Sequence, residues 1–291
     1  MSILELFCAV DDFCQAQYSL VQQLLLPDNH RRRRTSRLCL SEVMTIAIHF
    51  HQADYRTFKH YYQEHVCLHL RAEFPGLVSY SRFVELLVRA APMLVAYLNS
   101  SLGECTGLSF VDSTPLAVCK PTRCNQHKVF AGLARRGKTS VGWFYGFKLH
   151  LTINHQGELL SCQLTPGDCD DRTPVPVLAQ RLHGMLYADK GYIDRKLVAR
   201  LLQEQGVHLV TYARQNMRGR LVLATDALWL RNRNLIESVI EQLKHVCQIE
   251  HSRHRSVANF VVNLFAGLVA YCLRPNKPSL VLPAAGYLPA P

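Results

Sequence analysis

Residues 107–116 read GLSFVDSTPL, a short apolar run that ends on Asp112. An uninterrupted apolar stretch of that length reads as a buried strand, and the acid at its end is delivered to the edge of the core. The same arrangement recurs around Asp189 in MLYADKGYI (185–193), and LWLRNRNLIESVIEQLKH (228–245) carries Glu237 on an amphipathic helix. Three carboxylates arriving from separate elements suit a site for two Mg²⁺ ions, with Mn²⁺ as a substitute. Such ions take hard oxygen ligands and can activate a water or sugar hydroxyl against a phosphodiester.

Working outward, FKLHLTIN (147–154) and LLSCQLTPG (159–167) alternate as strands, joined by NHQGE as a hairpin turn. After them Arg172 to Leu182 reads as helix, MLYAD as strand, Arg195 to Glu204 as helix, VHLVTYA as strand and Asn234 to Cys247 as helix. Strand and hairpin followed by alternating helix and strand is the element order of an α/β ribonuclease-H-like core, with a mixed five-stranded sheet and flanking helices. Upstream the period is helical throughout, as in SEVMTIAIHFH from Ser41 and SRFVELLVRAAPMLVAYLNSSL from Ser81, each with a serine placed to cap a helix. The expected organisation is an all-helical domain at 1–103, the core at 104–275 and a Pro-rich tail at 276–291.

On the helix of Glu237, Ile236, Val239, Ile240 and Leu243 form one apolar stripe, with Arg233, Glu237, Glu241 and Lys244 beside it. Glu237 therefore lies at the border of core and solvent, as a metal ligand would. In an isolated helix the same residues read as i,i+4 ion pairs on a solvated face. In PGDCDD (166–171) Asp168, Asp170 and Asp171 could add acidity to the site, but an Asp before RTPVPVLAQRL reads as a helix cap, and so does Asp194.

The chain has 33 Lys and Arg against 22 Asp and Glu, a formal charge of +11, which favours nucleic acid, here DNA, over a merely solvated basic face; an anionic membrane surface would need a lipid anchor or an exposed amphipathic helix, and neither is evident. The cations cluster at Arg31, Arg32, Arg33 and Arg34, then between Arg123 and Lys148. In the second cluster Asn125, His127, Lys128, Arg135, Arg136 and Lys138 are candidate phosphate contacts, Gly132, Gly137 and Gly142 let backbone approach, and Trp143, Phe144 and Tyr145 could stack on an unpaired base. Ordinary core packing is the competing reading for those aromatics. Eleven cysteines without a CxxC pair point to reduced thiols, a zinc site from Cys119, Cys124 and His127 being the lesser alternative. No apolar run of membrane-spanning length and an acidic N-terminal stretch favour a cytoplasmic protein.

With these residues in view, the chain resembles a known family. RNRNLIESVIEQLK places Arg233, Glu237 and Lys244 at the positions of the Tyr-Arg-Glu-Lys signature of DDE insertion-sequence transposases, FVDSTPL is similar to the family's first-Asp motif and ADKGY to its second. NQHKVFAGLARRGKTSVGWFYGFKLHL, PGDCDD and SEVMTIAIHFHQADYRTFKHYY resemble more narrowly the bacterial insertion-sequence family numbered nine-eighty-two. The resemblance implies a nucleoid-associated DNA transposase with Asp112, Asp189 and Glu237 holding metal, and Arg233 and Lys244 clamping phosphates. It also implies terminal inverted repeats and target DNA as partners, and a dimer or larger assembly on paired ends. Leu230 stands where the signature has Tyr, and the short spacing from Asp189 to Glu237 leaves no room for a large inserted domain. A decayed or repurposed non-catalytic DNA-binding protein and a stand-alone nuclease of the same fold are the alternatives.

Overall fold

The computed structural model describes residues 1–17, 36–212, 223–250 and 254–280. Among these, seven helices reach eight residues: α1 (Ile3–Ala16), α2 (Leu40–Phe50), α3 (Tyr80–Ser100), α4 (Arg195–Gln205), α5 (Ala224–Arg231), α6 (Asn234–Glu241) and α7 (Val257–Cys272). Six strands are described: β1 (Leu108–Cys119), β2 (Arg135–Lys138), β3 (Trp143–Asn154), β4 (Leu159–Pro166), β5 (Gly184–Ala188) and β6 (Val207–Thr211). They divide into two compact units that are not contiguous in sequence. Met1–Ser101 joins Leu243–Ile249 and His254–Arg274 in a helical unit, and Leu102–Gln242 forms most of the other.

In the helical unit α7 packs on α3 and α2, and α1 packs on α2. So the helix at 257–272, which follows the core in sequence, completes the core of the N-terminal helices. The caps differ from those expected. Cys39 is in extended backbone and its Sγ accepts from Glu42 N, while the Glu42 carboxylate takes Cys39 N–H, a capping box that begins α2 earlier than Ser41 would. Ser41 is buried and donates instead to Asp11. Ser79 rather than Ser81 caps α3. By length and composition α3 could cross a membrane, but it buries Phe83, Leu86, Leu87, Ala90, Met93, Leu94, Tyr97 and Leu98, the pattern of a core helix.

The other unit is built on a sheet of order β2-β3-β1-β5-β6, with β4 also paired to β3. β1, β3 and β4 are antiparallel, and β1, β5 and β6 are parallel, so β4-β3-β1-β5-β6 is the mixed five-stranded sheet of a ribonuclease-H-like core. The sixth strand, β2, is Arg-Arg-Gly-Lys, which has no apolar alternation to announce it and becomes a strand by pairing with Trp143–Gly146. The turn from β3 to β4 is tight because Gly157 has φ +71°, beyond the reach of most side chains. On one face of the sheet Val111, Leu186, Ala188, Val207 and Leu209 pack with Val175, Leu178, Leu197 and Leu201. The helix expected over 172–182 shortens to Val175–Leu178; a start at Arg172 is blocked because Pro176 has no N–H to give Arg172 O. The opposite face is met by α5 and α6, whose Trp229, Leu230, Leu235, Ile236 and Val239 are buried. Leu235 adds to the expected stripe, and Ile240 is only half-buried.

Candidate functional site: an acid cluster organised by Arg233

β1 and β5 run parallel with Phe110 beside Tyr187, and carrying that register on by two residues sets Asp112 beside Asp189. In an open α/β sheet the carboxyl ends of adjacent parallel strands form a natural crevice for ligands. Glu237 comes from α6, which packs against β1. Arg233, one turn before Glu237, ties the set together: its Nη1 donates to Asp112 Oδ2 at 2.8 Å and its Nη2 to Glu237 Oε1 at 2.7 Å. The i,i+4 pair that a bare helix would form is therefore present, but the same guanidinium also reaches the central strand.

The electrostatics follow from burial. Desolvation pushes the Asp112 carboxyl above its usual range, and the charge of Asp189 pushes the same way. Arg233 and the Ser113 N–H, which donates to Asp112 Oδ1 at 2.8 Å, pull against it. Burial disfavours the charge of Arg233 too, but Asp112, Glu237 and Asp189 together outweigh it and raise its pKa. Asp112 is half-buried while Asp189 and Glu237 are exposed, so the site grades from a partly shielded acid to two wet ones.

All three acids offer hard carboxylate oxygens, the donor chemistry Mg²⁺ and Mn²⁺ require. Among the described residues no group of three His, Cys, Asp or Glu side chains converges closely enough to hold a metal ion. At this centre Arg233 lies between two of the acids and supplies positive charge to the half-buried Asp112. The donor chemistry suits a divalent cation, but in this structure the carboxylates are arranged around Arg233 rather than gathered on one point.

A second layer lies on the other side of β1. Ser113 is paired with His150, and its Oγ donates to Asp171 Oδ1 at 2.8 Å. Lys148 Nζ donates to the same oxygen at 3.0 Å and to Cys169 O at 2.9 Å. Burial holds His150 down at about 4, so it is neutral near pH 7 and its 3.9 Å approach to Asp171 is not an ion pair. Burial raises the Tyr192 hydroxyl, with Asp112 and Asp171 adding to the effect. Asp171 thus does not cap a helix as PGDCDD suggested. Asp170 instead accepts from Arg172 N and its guanidinium, and Asp194 does cap α4. The link to Ser113 depends on strand register, which the local motif does not carry.

The remaining candidates are dispersed. Lys244 lies in the π-helical turn Gln242–Val246, within the helical unit. Asn125 is on the 3-10 turn Pro121–Gln126, Lys128 is exposed in the following loop, and Arg135, Arg136 and Lys138 are exposed on β2. Arg136 forks onto Cys124 Sγ, at 3.1 Å from Nε and 2.7 Å from Nη2, and lies 3.5 Å from Asn125 Oδ1. His127 stacks on Phe130, and its Nδ1 is buried without a hydrogen bond. Arg31, Arg32, Arg33 and Arg34 lie outside the described residues.

Residues 102–257, more than half of the chain, match the family described as "Transposase DDE domain". No curated protein matches this chain. Among solved structures it is similar to the cryo-EM structure of the piggyBac transposase synaptic complex with hairpin DNA, at 11% identity and a TM-score of 0.46, covering 92% of this chain and 70% of that chain.

Proposed function

The chain belongs to the transposase DDE-domain family, and from that premise we propose that it is the transposase of a bacterial insertion sequence of the family numbered nine-eighty-two. In this reading it hydrolyses the phosphodiester at the element's ends and joins the exposed 3′ hydroxyl to target DNA. The observation that carries the proposal is the convergence of Asp112 and Asp189 at neighbouring parallel strands with Glu237 bound into the same ion-pair set through Arg233.

Asp112, Asp189 and Glu237 would hold two Mg²⁺ or Mn²⁺ ions. When bound, such ions activate the attacking oxygen and neutralise the leaving one. The chain's own residues prepare that site. β1 fixes Asp112 against Ser113 N–H, so one oxygen is oriented before any ligand arrives. Arg233 lowers the pKa of Asp112 and holds Asp112 and Glu237 beside each other through its two Nη atoms; its guanidinium is also of the kind that could bind a phosphate. Lys244 and the cations between Arg123 and Lys148 would neutralise further phosphates. The helical region 1–103, with Arg31, Arg32, Arg33 and Arg34, would bind the terminal inverted repeats, and the protein would act in the bacterial cytoplasm as a dimer or larger assembly on paired ends.

The test is cleavage and strand transfer on an element end by Asp112→Ala, Asp189→Ala and Glu237→Ala. Each should lose both reactions and keep end binding, because the phosphate contacts lie elsewhere. Full cleavage by a folded Asp189→Ala protein overturns the site. Cleavage by the wild type that ignores the inverted repeats assigns a stand-alone nuclease, and end binding without any cleavage assigns a non-catalytic DNA-binding protein.

A further inference from the structure

Between Ser113 and Gly157 the chain has seven Lys and Arg and no Asp or Glu. The hairpin β2–β3 stands in the middle of that stretch. Its cross-strand register pairs Lys138 with Trp143 and Arg136 with Tyr145, so one face of the hairpin is a ladder in which each rung holds a cation and an aromatic ring. Lys138 Nζ sits over the Trp143 ring at 5.8 Å. A strand aromatic is ordinarily core, but Trp143 is 63% exposed and is the one exposed Phe, Tyr or Trp among the described residues. Its neighbour Phe144 is 7% exposed, so β3 sends one ring inward and the next into solvent. Val141, in the turn closed by the Thr139–Gly142 backbone pair, is 98% exposed.

The base of this hairpin is fixed while its tip is bare. A Cβ on Gly137 would meet Gly167 O at 2.1 Å and the Phe144 ring at 2.6 Å, so β2 is pressed against the chain that leaves β4. An anchored strand pair carrying an exposed indole, an exposed valine and unopposed cations matches a nucleic acid whose phosphates meet the cations. The indole requires something more specific. In duplex DNA each base face is covered by its neighbours, and only an unstacked base has a face free for the ring.

We propose that the β2–β3 hairpin is a sensor for unpaired DNA, in which Trp143 stacks on an unstacked base while Lys138, on the same face, holds an adjoining phosphate. Trp143 lies eight residues along β3 from Leu151, the partner of Asp112. At about 3.3 Å per strand residue that is about 26 Å. The stacked base then falls within about eight base pairs of the cut. This placement, and only this, rests on the carboxylates being the cutting site; the stacking stands without it.

The chain has two tryptophans, and the other, Trp229, is 2% exposed, so fluorescence open to acrylamide belongs to Trp143. The full chain, in EDTA to remove divalent ions, is titrated with a ten-nucleotide single strand, a duplex with an overhang and a blunt duplex. The first two should quench Trp143 and shield it from acrylamide, and the blunt duplex should do neither. Trp143→Ala should weaken overhang binding roughly 5- to 100-fold and blunt-duplex binding little, with Trp143→Phe restoring most of the loss. Equal quenching by all three DNAs would reduce the hairpin to a phosphate-binding element and overturn the proposal. So would quenching by none of them, or a Trp143→Ala protein that binds overhangs as tightly as the wild type. Because no metal is present, loss of cleavage in the carboxylate variants leaves this result unaffected.

Discussion

The acid cluster and the basic hairpin belong to the same sheet and treat charge in opposite ways. At the cluster three carboxylates share one internal cation, and Asp112 is shielded enough for burial to raise its pKa. At the hairpin cations stand in solvent with no acid in the surrounding 113–157 stretch. The first region is offset only in part from within, one guanidinium against three carboxylates. The second keeps its cations exposed. Under the proposed function the first would meet metal and the second phosphate, and the difference makes them separable by mutation.

Arg233→Ala should break the comparison most, because it strips the acid cluster of its internal neutraliser. Removing one partner of a buried, hydrogen-bonded pair leaves the other charged and unpaired. With Asp112 partly exposed the loss should be about 2 kcal/mol, between the range for exposed pairs and that for buried ones, read as a shift in urea midpoint with an unchanged slope. The sign of the pH effect is fixed. Asp112 already sits above the usual carboxylate range, Arg233 is what lowers it, and without Arg233 the carboxylate is lost at a still higher pH as the solution is acidified. The acid limb of the cleavage profile therefore moves upward, and less so in Arg233→Lys, which keeps charge without the fork. An acid limb that stays fixed in Arg233→Ala would dissociate Asp112 from the rate.

A smaller effect is expected at the hairpin. Replacing Arg135, Arg136 and Lys138 together with Ala should flatten the salt dependence of DNA binding without altering cleavage once DNA is saturating. Removing one cation that neutralises a phosphate lowers the slope by about one. Arg136 is engaged with Cys124, so the slope should fall by about two rather than three. An unchanged slope would move the electrostatic footprint to Arg31–Arg34.

Much of this was legible in residue order, and the failures are of two kinds. The strands around Asp112 and Asp189 announce themselves by apolar runs, and α6 by its stripe, so fold class and candidate acids follow from local pattern. β2 was invisible because Arg-Arg-Gly-Lys is made a strand only by its partner. The return of α7 to the N-terminal helices was equally hidden, since nothing in an apolar helix says which core it completes. It follows that a fragment ending at 103 would lack a packing partner of α3 and α2. Ser41 and Ser81 looked like caps by residue type, whereas Cys39 and Ser79 hold the required backbone positions. The strand and the helix packing are tertiary information that sequence spacing does not encode, whereas the caps turn on which local residue holds the extended backbone.

Asp171 sharpens the comparison most finely, because it lies on the far side of β1 from Asp112 yet beside a lysine. Its carboxylate takes Ser113 Oγ and Lys148 Nζ, and Ser113 in turn gives its backbone N–H to Asp112. Influence on the acid cluster thus passes through the orientation of one strand residue. Asp171→Asn keeps an acceptor for Ser113 and loses only the charge facing Lys148, which retains Cys169 O. The stability change should stay below about 1 kcal/mol, since Asp171 is a third exposed and its pairing is screened. Cleavage should fall about tenfold at most, the lower range for a group that orients a ligand from behind. His150, already neutral, adds no titration between pH 5 and 8. Asp171→Ala, which also frees Ser113 Oγ, should fall further than Asp171→Asn, and Ser113→Ala should resemble Asp171→Asn. Complete loss of cleavage in Asp171→Asn, with normal stability and DNA binding, would instead make Asp171 a metal ligand and erase the distinction between the two faces of β1.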